Sequence, residues 1–315
     1  MIDNTNKSKM PTDGEFIDVK KYIGVASIKI LAVNPNNETL RKYGWQIPQT
    51  SDEPSYVLQK QTEKGVKTLS RVRFLVQIQD LPDKPVIGLD FWVRPEIWID
   101  KTGKKCKIID SFGRTAWATK EEVRFKTIPQ YANGPASINS DYKGCHPGEE
   151  ELIAFIRKFL NITPLQIFDK NKNAYVSTDK PGHSTFDHWA DICNGNVTEI
   201  IEMINHEPDN LVKVCLGIRF TDDNKSYQTF LNSYFLGNGA RPDSTTGEYT
   251  SVQKAIEKYQ TGNTSAVVKF SSKPVREWSV GGATEVKDNS ENEEALEDAF
   301  DNGTSYDEND DLPFD

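Results

Sequence analysis

Residues 70–79 have the sequence SRVRFLVQIQ, and their pattern decides the fold class. Every second residue is apolar, and the residues between them are mostly polar or cationic. Successive side chains of a β-strand point to opposite faces of a sheet, so this alternation predicts a strand with one buried face. The outward face of this predicted strand carries Arg71 and Arg73, and the inward face carries Val72, Phe74, Val76 and Ile78.

Four further segments alternate in the same way. They are residues 24–33 (GVASIKILAV), 87–94 (IGLDFWVR), 211–220 (LVKVCLGIRF) and 227–236 (YQTFLNSYFL). The last two flank the turn-forming residues 221–226 (TDDNKS), which predicts a β-hairpin. Apolar residues at helical spacing predict helices over residues 148–162, 197–205 and 252–259.

The order of these elements is three strands, a helical stretch and a two-stranded hairpin. This is the order of an OB-fold, a five-stranded Greek-key barrel that binds oligonucleotides on one face. We therefore predict a mainly β (α+β) body with an OB-fold-like barrel and helical insertions over residues 20–282. The polar composition of residues 1–19 predicts a disordered arm, and that of residues 283–315 predicts a disordered acidic tail.

The charge is distributed unevenly along the 315 residues. The whole chain has a net charge of -9, but residues 285–315 contain thirteen acidic residues and one Lys, so residues 1–284 are mildly basic at +3. Such asymmetry is typical of nucleic-acid binders whose tail is an interaction segment. The alternative is a disordered end that only increases solubility.

Composition and motifs exclude several classes of protein. No apolar run approaches the ~20 residues of a membrane span, and the first residues lack the pattern of a secretory signal. Four scattered cysteines without a CxxC pair favour a reducing cytoplasm, that of the bacterial host if the chain is phage-encoded. The P-loop, GxSxG, HExxH and dinucleotide motifs are missing from the sequence, so we predict no catalytic residue, no cofactor and no enzymatic activity.

Cations and aromatic residues recur on the predicted outward strand faces. Sequence-tolerant binding of a single strand requires cations near the phosphates and aromatic rings on which bases stack. The alternative is that the cations are ordinary solvated residues and that Trp92 covers a second core. The predicted nucleic-acid contacts are Lys29, Arg71, Arg73, Trp92, Arg94, Lys213, Arg219, Phe230 and Tyr234.

The sequence ends with YDENDDLPFD over residues 306–315. Within it, Asp310, Asp311, Leu312, Pro313 and Phe314 resemble the Asp-Asp-Ile-Pro-Phe tip of bacterial single-stranded-DNA-binding proteins. The layout of barrel, linker and acidic tail also resembles phage replication single-strand binders. In those families a basic pocket on replication proteins takes the acids and an apolar slot takes the Phe. The resemblance implies the same partner contact here, although Leu replaces Ile and Asp315 follows the Phe.

The predicted function is therefore a non-enzymatic protein that coats single-stranded DNA in replication, recombination and repair. Its tail recruits replication proteins such as a polymerase, helicase or primase. Two alternatives remain: a viral structural or packaging protein with a solubilising tail, and a metal-dependent nuclease. We predict no metal site, because His183, His188 and Cys193, with Cys145, fit no standard zinc spacing.

Overall fold

The computed structural model describes residues 20–62, 65–109, 115–119, 121, 143–162, 166–169, 174–177, 192, 194–220, 226–262 and 267–278. These residues form a mainly β structure with antiparallel sheets and few helices. The strands are β1 (Lys21–Val33), β2 (Val57–Thr62), β3 (Gly65–Ile78), β4 (Val86–Val93), β5 (Lys105–Ile109), β6 (Thr115–Thr119), β7 (Lys143–Gly144), β8 (Gln166–Asp169), β9 (Ala174–Ser177), β10 (Val212–Phe220), β11 (Ser226–Gly237), β12 (Val267–Phe270) and β13 (Arg276–Trp278). The helices are α1 (Asn37–Lys42), α2 (Glu149–Phe159), α3 (Thr198–His206) and α4 (Thr250–Gly262).

The largest sheet has eight strands with β1 at its centre. Strand β1 pairs with β3 on one side of the sheet and with β10 on the other, and its first residues pair with β13. Strand β3 also pairs with β2 and β4, and β10 also pairs with β11 and β12. The five predicted strands are confirmed as β1, β3, β4, β10 and β11, and the three predicted helices are confirmed as α2, α3 and α4. Two small sheets, β6-β5-β7 and β8-β9, lie apart from this one.

The main core lies against one face of this sheet, as the alternation predicts. Strand β3 contributes Phe74 and β10 contributes Leu216, and both side chains are fully buried. Helix α2 adds Leu152, Phe155 and Ile156 from the stripe that its 3.6-residue period predicts. The helix has three glutamates in its first turn and two cations in its last turn, and the helix dipole favours this placement of charges.

Gly148 fixes the point at which α2 meets β4. It precedes the helix at φ 85°, in the left-handed region, and a Cβ on it would lie 1.9 Å from the carbonyl oxygen of Trp92. Glycine adopts this conformation without steric cost and leaves room for the neighbouring main chain. The start of α2 is therefore held directly against the end of β4.

Strands β4 and β11 approach each other without a backbone ladder in the described residues. Their inward rings, Phe91 and Phe235, have centroids 6.1 Å apart, and Phe155 of α2 contacts both. In the described part of the chain the sheet therefore does not close into a hydrogen-bonded barrel. The mainly β class is confirmed, and the barrel stays a prediction.

Helices and loops cover parts of the opposite face of the sheet. Helix α4 packs on β10 and β11 and buries Leu231 and Val252 in a second core. Helix α1 and the loop after it bury Leu40 and Ile47 against Leu75 of β3. The sequence predicted that this face is exposed, and the structure shows that much of it is packed. No helix in the described ranges is long and apolar enough to cross a membrane.

Candidate nucleic-acid interface

Arg71 and Arg73 lie on the predicted face of β3, but both are buried. Their relative exposures are 6% and 1%. Arg73 makes two hydrogen bonds to the Asp90 carboxylate, from Nε at 2.7 Å and from Nη2 at 2.8 Å, and Arg71 donates to the same carboxylate. Burial raises the pKa of the Asp90 carboxyl, and the positive charge of Arg73 opposes that shift. The prediction that these two charges face solvent is wrong.

Two tryptophan rings extend this ion pair into a row of stacked groups. The Arg71 guanidinium lies 5.4 Å from the ring centroid of Trp92, its cross-strand partner on β4. The Arg73 guanidinium lies 5.3 Å from the ring of Trp45, in the loop after α1. Both tryptophans are half-buried. We call the row Trp45, Arg73, Asp90, Arg71 and Trp92 the Trp–Arg ladder.

Local sequence explains how the ladder is positioned. The register of β3 with β4 places Arg73 opposite Asp90 and Arg71 opposite Trp92. A Cβ on Gly88 would lie 3.3 Å from Arg73 Nε and 3.5 Å from the Trp45 ring, so glycine leaves the space that they occupy. The loop that carries Trp45 is held by Arg41, which donates to the carbonyls of Ile47 and Pro48.

Arg94 and Lys213 are also buried, at 8% and 6% exposure, so the prediction that they form an outward cationic face is wrong for them as well. Lys213 Nζ donates to Ser27 Oγ on the neighbouring strand, and burial lowers the pKa of its amine. Arg94 follows β4, and its amide donates to the Pro147 carbonyl at the approach to α2. Neighbouring elements cover both side chains, which the alternation along one strand does not reveal.

Phe230 and Tyr234 do not form one aromatic face on β11. Phe230 packs on the main core, with its ring 5.1 Å from that of Phe91. Tyr234 packs on the second core beneath α4. The β10–β11 register shifts between Val214 and Leu216, and this irregularity breaks the simple alternation that the sequence analysis assumed.

Lys29 and Arg219 are half-buried, so part of each side chain is open to solvent. Lys29 forms an ion pair of 2.9 Å with Asp209, and that contact holds the pKa of the Asp209 carboxyl below its usual range. Arg219 on β10 is the cross-strand partner of Tyr227 on β11, near the end of β10. Of the nine predicted contacts, the ladder brings together Arg71, Arg73 and Trp92, and Lys29 and Arg219 lie on other strands.

Sequence reasoning missed four aromatic or cationic residues. Trp45 lies in the long segment between two predicted strands, where no periodicity marked it. Phe220 was assigned to the core, but it is half-buried at the end of β10. Lys269 and Trp278 lie on the short strands β12 and β13, and Lys269 Nζ is 5.1 Å from the Phe220 ring and 5.5 Å from the Trp278 ring. These residues come from separate segments of the sequence, so no local pattern marks them as a group.

Several predictions fall outside the described residues. They are the tail tip, the N-terminal arm, and His183, His188 and Cys193. In the ranges that the structure covers, no three His, Cys, Asp or Glu residues are placed to hold a metal ion. Cys145 is buried, and burial raises the pKa of its thiol well above the usual value.

The ladder places two half-buried tryptophan rings against two buried guanidiniums. Comparison of the chain with protein-family models, curated proteins and solved structures finds no match. The open part of each ring can stack on a flat ligand group, and the cation–π contacts with Arg71 and Arg73 hold the rings in place.

Proposed function

We propose that this chain binds single-stranded DNA, without catalysis, and coats it during replication, recombination and repair. The Trp–Arg ladder is the observation that supports this proposal most directly. Trp92 and Trp45 are half-buried and offer ring surface on which bases can stack, and each ring is packed against a guanidinium of the ladder. Base–aromatic stacking depends little on the nucleotide sequence, because every base has a π-face.

The strand pairing supports an OB-fold-like Greek-key barrel as the framework of this site. In an OB-fold the first strand pairs with the second and fourth, the second with the third, and the fourth with the fifth. The pairs β1–β3, β1–β10, β3–β4 and β10–β11 follow that order. We propose that the ring contacts between β4 and β11 close this barrel in place of a fifth backbone ladder.

The acidic tail supports a recruiting role. Its tip, Asp310 to Phe314, combines acids with apolar residues at the end of a strongly negative segment. A basic pocket with an apolar slot on a replication protein suits this tip, as its resemblance to the bacterial and phage single-strand binders implies. We propose that the tip binds such a partner while the body holds DNA.

A salt titration of oligo-dT binding, followed by tryptophan fluorescence, tests the function. Phosphate contacts release counterions, so the logarithm of the binding constant should fall linearly with the logarithm of salt concentration. The slope should be about -0.7 for each phosphate contact on a single strand. Quenching is expected, because Trp92 and Trp45 stack on bases. Oligo-dT that neither binds nor quenches at low salt would contradict the proposal and favour a structural or packaging role. Cleavage of the strand with Mg²⁺ or Mn²⁺, abolished by EDTA, would favour a nuclease.

A further inference from the structure

Phe220 and Trp278 form a corner at the end of β10, away from the residues of the Trp–Arg ladder. Phe220 is the last residue of β10, and Trp278 is the last residue of β13. Their ring centroids are 6.4 Å apart and the planes meet at 70°. Both side chains are half-buried, so each ring keeps part of its surface open to solvent. We call Phe220, Lys269 and Trp278 the β10-end cluster.

Lys269 places a positive charge in this corner. Its side chain is exposed, and Nζ lies near both ring centroids, at 5.1 Å and 5.5 Å. A cation over an aromatic face is attracted by the ring quadrupole, which orients the ammonium without neutralising it. In the described part of the chain no carboxylate forms an ion pair with Lys269, although pairs are formed by Lys20 and Lys29.

Trp278 contributes a hydrogen-bond donor that lacks an acceptor. Its Nε1 is shielded from solvent and makes no hydrogen bond to any described residue. A shielded N–H without an acceptor costs folding free energy, and an acceptor oxygen supplied by a ligand would recover it. The orphan donor belongs to the same ring that Lys269 covers.

The chemistry of these three groups defines the ligand that they suit. Both polar groups are donors and one is a cation, so the ligand must carry anionic acceptor oxygens. The two rings favour a flat group beside those oxygens. A nucleotide has a planar base joined to a phosphate and so offers both features. An acidic peptide side chain offers anionic oxygens but no aromatic ring for stacking.

We propose that the β10-end cluster is a second nucleotide site for the bound strand, a proposal that rests on the proposed function. A base replaces Lys269 on an aromatic face. The released ammonium and the Trp278 N–H then donate to phosphate oxygens of the same or the next nucleotide. Arg276, two residues before Trp278 on β13, is a further exposed cation on this strand.

Two single substitutions in the full chain test this site: Lys269→Gln removes the cation, and Trp278→Phe keeps an aromatic ring but removes the orphan donor. Lys254→Gln, at an exposed lysine on α4, is the matched control for the loss of one charge. The probe is an oligo-dT longer than the about 4–16 nucleotides that one OB-type site covers. Affinity, salt dependence and thermal midpoint are measured for each protein.

Lys269→Gln should weaken oligo-dT binding at low salt and lower the salt slope by about 0.7, the value of one phosphate contact on a single strand. Trp278→Phe should also weaken binding, while its thermal midpoint stays equal to or rises above that of the unmodified chain. Weaker binding with an unchanged thermal midpoint would identify Trp278 as a binding residue. If Trp278 had only a structural role, Trp278→Phe would lower the thermal midpoint. The Lys254 variant should match the unmodified chain.

The possible failures are distinguishable. If the unmodified chain binds oligo-dT and both cluster variants bind it equally well, the second site is wrong and the proposed function stands. If the unmodified chain binds no oligo-dT, the proposed function fails and this site fails with it. If a synthetic peptide of residues 306–315 binds the body and loses that binding in Lys269→Gln, while oligo-dT affinity is unchanged, the cluster is a peptide site and the nucleotide assignment is overturned.

Discussion

The Phe91 ring on β4 lies 6.1 Å from the Phe235 ring on β11, at the place where these strands approach without a described backbone ladder. Phe155 of α2 contacts both rings, at 5.1 Å and 5.3 Å between centroids. Side-chain packing therefore joins the two ends of the large sheet. Phe155 of α2 therefore adds aromatic packing to the direct contact between β4 and β11.

Phe155→Ala should strongly destabilise the fold. The side chain is fully buried between β4 and β11, so its truncation leaves a cavity at the junction and should cost about 3–5 kcal/mol. Urea denaturation followed by circular dichroism measures the loss, and Phe155→Leu should lose less. The control Ile201→Ala, at an exposed residue of α3, should change stability by about 0.5 kcal/mol or less. Equal losses for Phe155→Ala and Ile201→Ala would show that α2 does not hold the junction.

Asp90→Ala tests whether the ladder is an ion-pair network. The substitution leaves two buried guanidiniums without their shared carboxylate, and breaking a buried pair in this way costs about 3–5 kcal/mol. The matched control is Asp209→Ala, which removes the exposed partner of Lys29 and should change the denaturation midpoint little. Similar midpoints for the two variants would contradict the buried network.

The inward faces of the strands could be predicted from the sequence. In β3 and β4, each residue assigned to the core is buried, because strict alternation leaves one register that hides the apolar side chains. The register shift in β11 is different. It depends on how β11 pairs with β10 rather than on its own composition, so it separates Phe230 from Tyr234 without a signal in the sequence.

The outward faces could not be predicted in the same way. Arg73 looks like a solvated residue in an alternating strand, yet Asp90 and Trp45 from other segments cover it. Lys213 is covered on β10 and donates to Ser27 of β1. The residue pattern along one β-strand shows which side chains can be buried. Contacts between distant segments decide which cations reach solvent.

Glu151 gives the fold a pH dependence near neutrality. Burial and the neighbouring Glu150 raise the pKa of its carboxyl to about 7, and its Oε2 is shielded without a hydrogen bond. Because the folded-state pKa lies above the unfolded value near 4.5, folding favours the protonated acid. The stabilising effect of this group is complete below about pH 4.5 and is lost as pH rises to about 7.

Glu151→Gln should therefore stabilise the chain at pH 8, on the order of 1–3 kcal/mol, and change it little at pH 4.5. Urea denaturation of both proteins at the two pH values measures the difference. The variant Glu202→Gln, at an exposed glutamate of α3, is the control for the loss of one carboxylate. A Glu151→Gln protein that is less stable than the unmodified chain at pH 8 would show that the charged carboxylate is needed there.

Trp92→Ala tests base stacking on the ladder. If a base stacks on the half-buried ring, the loss of that ring should weaken oligo-dT binding by about 1–3 kcal/mol. Trp92→Phe keeps a smaller aromatic face and should lose less. Fluorescence titration at one salt concentration gives both affinities, and circular dichroism checks that each variant is folded. Unchanged affinity in a folded Trp92→Ala protein would remove the ladder from the binding site.

Removal of residues 285–315 should tighten single-strand binding and weaken the binding of a replication partner. The segment has twelve net negative charges and is tethered to the body, so it competes with DNA for cations at a high effective concentration. A full-length control with these acids replaced by their amides keeps the tether and removes the charge, and it should bind DNA as tightly as the truncated chain. Both affinities are compared at one fixed salt concentration. A truncated chain whose DNA affinity equals that of the full chain would reject the competition, while the partner measurement separately tests the tip.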